Sequence, residues 1–265
     1  MGTVRELSQA SAAERQARID LAAAFRLAVR LDLHEGVCNH FSLMLPQGER
    51  FLLNRYGLHW SEVSASNLLA VDAAGNLLEG EGEIEKTAFF IHSRIHRANP
   101  RASCVLHTHM PYATALTLTE PGRLEMVEQN ALRFLDDIAY DDTYNGLVVD
   151  EAEGDRLARV LGSKRVMFLA NHGVIVVGTT VAEAFDALPI ARAVSAFFTG
   201  NREYSNLPRK FKFAFDGCAH RDCIAGAIVT DGGSGPPAAR AMSSGRPTRM
   251  TGSRGCSRRR RTSAS

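Results

Sequence analysis

The sequence predicts an α/β fold in which helices and short strands alternate to build a layered α/β/α domain. Three observations carry this prediction. Apolar residues recur at helical spacing in two long stretches. Short apolar or β-branched runs of strand length lie between and after them. The chain, 265 residues with 45% hydrophobic and 23% charged side chains, has enough apolar material for a real core and the composition of an ordinary globular protein.

Ser11-Ala-Ala-Glu14 is a capping-box pattern that opens the first helix. Leu21, Phe25, Val29 and Leu33 give it one apolar face, and Gly36 supplies the stop. Strands are expected at 41–45, 51–54 and 68–71, the last running into a turn at Asp72-Ala-Ala-Gly75-Asn76. From 84 to 98 the period is helical again, with Ile84, Ala88, Ile91 and Ile95 on one side, and Asn99-Pro100 ends it. A strand over 103–109 is followed by Pro111, which a first helical turn tolerates, and a helix over 112–118. Two more strands, 165–170 and 174–177, flank Asn171-His172-Gly173, and Thr180-Val-Ala-Glu183 caps a further helix.

No apolar run approaches the roughly 20 residues a membrane helix needs, and the N-terminus lacks the apolar stretch of a secretory signal, so a cytoplasmic location is expected. Five scattered cysteines, an odd number, fit reduced thiols rather than a disulfide framework. The net charge of +2 is uneven: residues 232–265 hold eight arginines and no acid, leaving −6 on the rest. That tail is Gly, Ser, Ala, Pro, Thr and Arg with almost no aliphatic residue, so it cannot order itself by burial. Without interleaved aromatics it reads as a solvated end, and neither nucleic acid nor a membrane is expected as a partner.

His107-Thr108-His109 is the most informative tripeptide. On a strand, residues two apart point to the same side, so both imidazoles can converge on one metal ion at the strand's end. His172, in a tight turn between two apolar strands, would complete three neutral nitrogen ligands and leave one position open, the layout of a catalytic metal centre. Gly173 beside it can adopt φ > 0 and let the backbone close beneath the ring. His92 and His96 lie four apart and share a helix face. His34 is expected at the surface of a helix end; His40 and His59 sit in loop contexts from which either could line a pocket.

These residues resemble the class II aldolase/adducin family over about 21–186. Glu35-Gly-Val-Cys-Asn-His-Phe-Ser42 is similar to the family's early loop and Leu53-Asn-Arg-Tyr-Gly57 to its second substrate-facing loop. Cys104-Val-Leu-His-Thr-His-Met-Pro-Tyr-Ala-Thr-Ala-Leu116 looks like its metal-binding strand and following helix, and Ala170-Asn-His-Gly-Val174 like the segment bearing its third metal histidine. The resemblance implies a three-layer α/β/α domain, a homotetramer with sites at subunit interfaces, and a divalent metal, Zn first with Fe(II) or Mn as alternatives. It assigns the metal to His107, His109 and His172, and a small-molecule substrate to Asn39, Ser42, Asn54 and Gly57, with His92 and Tyr112 as further pocket residues. In the family's aldolases the metal polarises a carbonyl and stabilises an enediolate.

One position departs. Family aldolases carry a catalytic glutamate four residues before the histidine that matches His92; here that position is Ala88. Glu85, one turn earlier on nearly the same face, is the nearest replacement, and the alternative is that Glu83 and Glu85 are acids favoured at a helix start. Related branches that lack this glutamate include decarboxylases, non-haem-iron oxygenases and metal-free adducin head domains. The expectation is therefore a metal-dependent carbon–carbon lyase, decarboxylase or aldolase-like, on a small oxo or hydroxy acid, with an adducin-like interaction module or an oxygenase as alternatives. The family domain is expected over 1–186, truncated at its closing helix, where Pro189 interrupts the helical pattern. An atypical segment spans 187–230, in which Asn201 to Cys218 resembles a short piece of the sulfite/nitrite reductase fold. Its Cys218 and Cys223 cannot hold a four-cysteine cluster. A disordered basic tail occupies 231–265.

Overall fold

The computed structural model describes residues 10–46, 50–126 and 129–188, all within the first of two compact units, residues 1–200. The expected segments beyond 188, with Cys218 and Cys223, lie outside the described residues. An eight-stranded sheet runs in the order β4-β3-β2-β1-β5-β8-β7-β6. The strands are β1 (His40–Met44), β2 (Arg50–Leu53), β3 (Leu69–Asp72), β4 (Leu77–Glu79), β5 (Cys104–Thr108), β6 (Ile138–Asp141), β7 (Val166–Leu169) and β8 (Gly173–Gly178). Neighbours pair antiparallel, except that β6 and β7 are parallel.

The helices are α1 (Ala12–Arg30), α2 (Lys86–Ala98), α3 (Pro111–Thr117), α4 (Gln129–Leu132), α5 (Glu151–Leu161) and α6 (Val181–Ala187). Helices α1 and α6 pack together against β1, β5 and β8, while α2 and α5 pack on the sheet from the other side. This is the expected α/β/α sandwich. Alternation along each strand supplies both cores: Val105, Met167, Leu169, Ile175 and Val177 bury toward Ile91 and Ile95 of α2 and Leu157 and Leu161 of α5. In the other direction Phe41 stacks on Phe25 of α1 at 4.8 Å and meets Trp60 at a tilt at 4.4 Å.

Ser11 caps α1 by accepting from the Glu14 N–H at 3.1 Å. The Glu14 carboxylate joins Arg18, Arg50 and Glu79 in a four-membered ion-pair ring with contacts of 2.6–3.2 Å, tying α1 to the β2–β4 edge. The first helix stops earlier than Gly36: α1 ends at Arg30, and Asp32 takes the left-handed turn with φ 58°. An acidic side chain tolerates that conformation better than most, which is why the glycine is not needed there. Strands β4 and β6 and helix α5 fall in stretches for which the pattern gave no element. Described helices include none long and apolar enough to cross a membrane.

Candidate metal centre

The central strand β5 is buried throughout, and its C-terminal end carries His107, with His109 just beyond. The register sets His107 between His40 of β1 and Ile175 of β8. The β7–β8 connection then brings His172 back to the same end. Asn171 makes this turn in the left-handed region, φ 56°, and its N–H donates to Thr117 O at 3.1 Å. Gly173 has a different use from the expected positive φ: a Cβ there would lie 2.5 Å from Thr108 O and 2.9 Å from His109 Cδ2. Glycine is required because the turn closes directly onto the histidine strand.

The three rings have centroids 4.7–4.9 Å apart, and one nitrogen from each lies within 4.8 Å of the others. Two of the tautomers, those of His107 and His109, follow from acceptor-only partners. His107 Nδ1–H donates to Val174 O at 3.1 Å, and His109 Nδ1–H donates to the Glu35 carboxylate at 2.6 Å. In each neutral ring Nε2 is then a bare lone pair, and these two nitrogens face each other at 3.0 Å. Two lone pairs at that distance repel unless a cation lies between them. The donor set fits a divalent ion of borderline softness, and Glu35–His109 is the carboxylate–histidine arrangement that orients a metal ligand.

Burial, then the neighbouring imidazoles, holds the His107 pKa well below the ordinary histidine value. His172 is pushed down to about 4 by burial first and His109 second, against the opposing charge of Asp141. Asp141 closes β6 and is clasped by Arg156 through two bonds of 2.7 Å.

The other expected residues fall into two groups. Asn39, Ser42, Asn54 and His92 are buried. Asn39 Oδ1 accepts from the Glu35 N–H at 2.7 Å, its carbonyl accepts from Trp60 Nε1–H at 3.3 Å, and its Nδ2 has no partner among the described residues. Asn54 accepts from the Phe41 N–H at 3.3 Å, bracing the same loop. Gly57, at φ 74° with open space around it, and Tyr112, 54% exposed, face outward. Ala88 is wholly buried on α2, and Glu85 is the N-cap of that helix, its carboxylate accepting from the Ala88 N–H at 2.6 Å. That is how an acid at a helix start is satisfied.

His34 is only half exposed, not a free surface residue: its Nε2 meets His59 Nε2 at 3.4 Å and its ring stacks on Trp60 at 5.8 Å. His59 caps the short 3-10 helix Trp60–Glu62. His40 opens β1 rather than lying in a loop, and is 5% exposed. Glu35 was not singled out in the sequence, because its partner is 74 residues away and no local pattern links them.

Glu35→Ala is expected to weaken metal binding by about 10–100-fold, since the orienting acceptor of a ligand is lost. A competitive chelator titration reads this, and far-UV circular dichroism should be unchanged because Glu35 is half exposed.

Stability should also depend on pH through His96, whose pKa burial lowers from 6.5 to about 4. Below 6.5 the unfolded chain binds a proton that the folded state refuses. Stability is thus fully present above pH 6.5 and falls, at up to about 1.4 kcal/mol per pH unit for this group, as pH drops toward 4. Urea unfolding of metal-free protein at pH 7.5 and pH 5 measures it; equal midpoints would contradict it.

Comparison with known proteins fits this geometry. Residues 19–194 match the family described as Class II Aldolase and Adducin N-terminal domain. Residues 169–231 also match the nitrite and sulphite reductase 4Fe-4S domain, but 169–188 of that stretch form the end of β7, then β8 and α6, in the sheet described above. A Pseudomonas aeruginosa protein bearing a class 2 aldolase name is 33% identical over 86% of this chain and 87% of its own length. Mouse alpha-adducin is 36% identical over 65% of this chain, which spans 24% of that protein. The crystal structure of an aldolase II superfamily protein from Pseudomonas syringae superimposes with a TM-score of 0.71 at 32% identity, covering 91% of this chain and 94% of that one. Fold, histidine geometry and these matches agree: the chain belongs to the class II aldolase and adducin N-terminal domain family.

Proposed function

We propose that this chain is a metal-dependent carbon–carbon lyase, a decarboxylase or an aldolase-like enzyme, acting on a small oxo or hydroxy acid. The observation that carries this reading is the convergence of three imidazoles, two of which, His107 and His109, have their second nitrogens already committed to acceptors. His107, His109 and His172 would hold the ion, zinc first and Fe(II) or Mn as alternatives. The ion supplies a Lewis acid for a substrate carbonyl or carboxylate.

The chain's own residues do the rest. Glu35 and the Val174 carbonyl fix two ligand rings. The Asn39–Asn54 brace shapes the loop beside them, with Asn39 Nδ2 buried and unpartnered among the described residues. Ser42 and His92 are both enclosed, while Gly57 and Tyr112 are the more accessible of the proposed substrate residues. Ala88 puts no carboxylate on this face of α2, which favours a reaction needing an electron sink over one needing a carboxylate base. The exposed Leu135, Leu147 and Val149 support assembly, with a cytoplasmic homotetramer as the expected form.

The test is a panel of 2-oxo and 2-hydroxy acids and ketose phosphates incubated with zinc-, iron(II)- and manganese-loaded protein. Carbon dioxide or aldehyde release on the acids is expected, and none on the sugar phosphates. The likeness to mouse alpha-adducin, together with Ala88, favours one second reading, a non-catalytic interaction module. Purified protein with less than about 0.2 equivalents of transition metal, against about one expected for a filled three-histidine centre, would select it.

A further inference from the structure

A second set of imidazoles leads away from the metal centre. His40 and Ser42 alternate onto the face of β1 that looks at α2, where His92 and His96 stand one turn apart. His96 Nδ1 meets the carbonyl of Ala102, and its Nε2 meets Ser42 Oγ at 2.7 Å. Ser42 Oγ also meets His92 Nδ1, and His92 Nε2 meets His40 Nδ1 at 2.7 Å. The His40 ring lies 4.8 Å, centroid to centroid, from that of His107, its cross-strand partner.

The direction of every bond in this chain is dictated by its far end. A carbonyl oxygen only accepts, so His96 Nδ1 carries the proton and, in a neutral ring, Nε2 is bare. Ser42 must therefore donate its single hydroxyl proton to His96. It then can only accept from His92, which places the His92 proton on Nδ1 and leaves Nε2 bare. His40 Nδ1–H must donate there. The Nε2 of His40 is left as a lone pair at the metal centre. Burial supports the neutral form at the head of the chain, where it is the first cause lowering His96 to about 4.

We propose that the Ala102–His96–Ser42–His92 chain locks His40 as a hydrogen-bond acceptor beside the three-histidine centre, making it the residue that selects a ligand hydroxyl there. A ligand whose oxygen next to the metal-binding group carries a hydrogen is bound; one with an ether oxygen at that place meets two opposed lone pairs. His40 is thus a specificity-determining residue, and Ser42, His92 and His96 are positioning residues that act through it. This inference rests on the lyase reading above for its ligand, but the tautomers can be read without any ligand.

The experiment is long-range 15N–1H NMR of the imidazoles in the metal-free full chain, repeated on Ser42→Ala. His40, His92 and His96 are each expected as the Nδ1–H form. In Ser42→Ala, His92 and His40 should pass to mixed tautomers while His107, fixed by Val174, stays Nδ1–H. A proton on His40 Nε2 in the wild type, or an unchanged His40 in Ser42→Ala, overturns the proposal; if that variant does not fold, the wild-type spectrum decides alone.

On zinc-loaded protein, calorimetry with glycolate and methoxyacetate should show glycolate binding about tenfold or more tighter, as one hydrogen bond in a buried site provides. That preference should fall to about threefold or less in His40→Phe, which keeps a flat ring beside His107. A preference unchanged in His40→Phe overturns the specificity role. Zinc content of the same samples separates the two readings. The expected tautomers in protein that takes up no zinc support the relay and sink the lyase assignment instead.

Discussion

Replacing His107 and His109 together by alanine is expected to lower bound transition metal from about one equivalent to below about 0.2, because a single remaining imidazole cannot hold a divalent ion against water. The two bare Nε2 atoms that face each other at 3.0 Å vanish together, leaving only His172. The same variant should lose the thermal stabilisation that added zinc gives the parent, about 4 kcal/mol when free metal is 1,000-fold above its dissociation constant. Mass spectrometry for metal and thermal melts with and without zinc check both. A parent protein whose melting point ignores zinc would remove the reason for a metal centre.

The largest effect on stability is expected at Trp60. It is wholly buried, meets Phe25 edge-on at 4.8 Å and Phe41 at 4.4 Å, and donates its indole N–H to the Asn39 carbonyl. Trp60→Ala should cost about 3–5 kcal/mol, the usual loss for an aromatic core residue replaced by alanine. For a folded unit of this size the melting point should fall by roughly 6–20 °C. Trp60→Phe keeps most of the volume and loses the donor, so about 1–2 kcal/mol is expected. Because Asn39 directly precedes His40, the alanine variant should also weaken metal binding, while the phenylalanine variant should do so much less. Chemical denaturation and chelator competition on the pair separate packing from the hydrogen bond.

Much of the fold could be read from local pattern. The strands at β1, β2, β3, β5, β7 and β8 and the helices α1, α2, α3 and α6 all have apolar periodicity or caps that act within a few residues. What was missed had a weaker signal, although α5 does carry a local cap, the Asp150 carboxylate accepting from the Glu153 N–H at 2.9 Å. Helix α5 buries Gly154, Leu157, Ala158 and Leu161, a face half made of small residues. Its role emerges only in contact with α2, where a Cβ on Gly154 would sit 2.5 Å from the Phe90 carbonyl oxygen. Strand β4 is three residues long, and β6 becomes a strand by pairing with β7, its parallel partner.

The histidines divide in the same way. His107 and His109 announce themselves because two residues on a strand share a side whatever the rest of the chain does. The placement of His172 beside them needs the β7–β8 turn, and Gly173 serves that turn through close approach and not through the φ its type suggests. Glu35 lies far from His109, and the His40–Ser42 pair of β1 lies far from the His92–His96 pair of α2, so nothing in the spacing says that these partners bond. The sequence by itself determined the layered α/β fold, the histidine strand and the alanine at position 88, because each is a property of local segments. Only the tertiary structure decided which nitrogens are free to bind and which are committed. That depends on acceptors such as the carbonyls of Val174 and Ala102, which reach the rings only when the sheet and α2 are assembled.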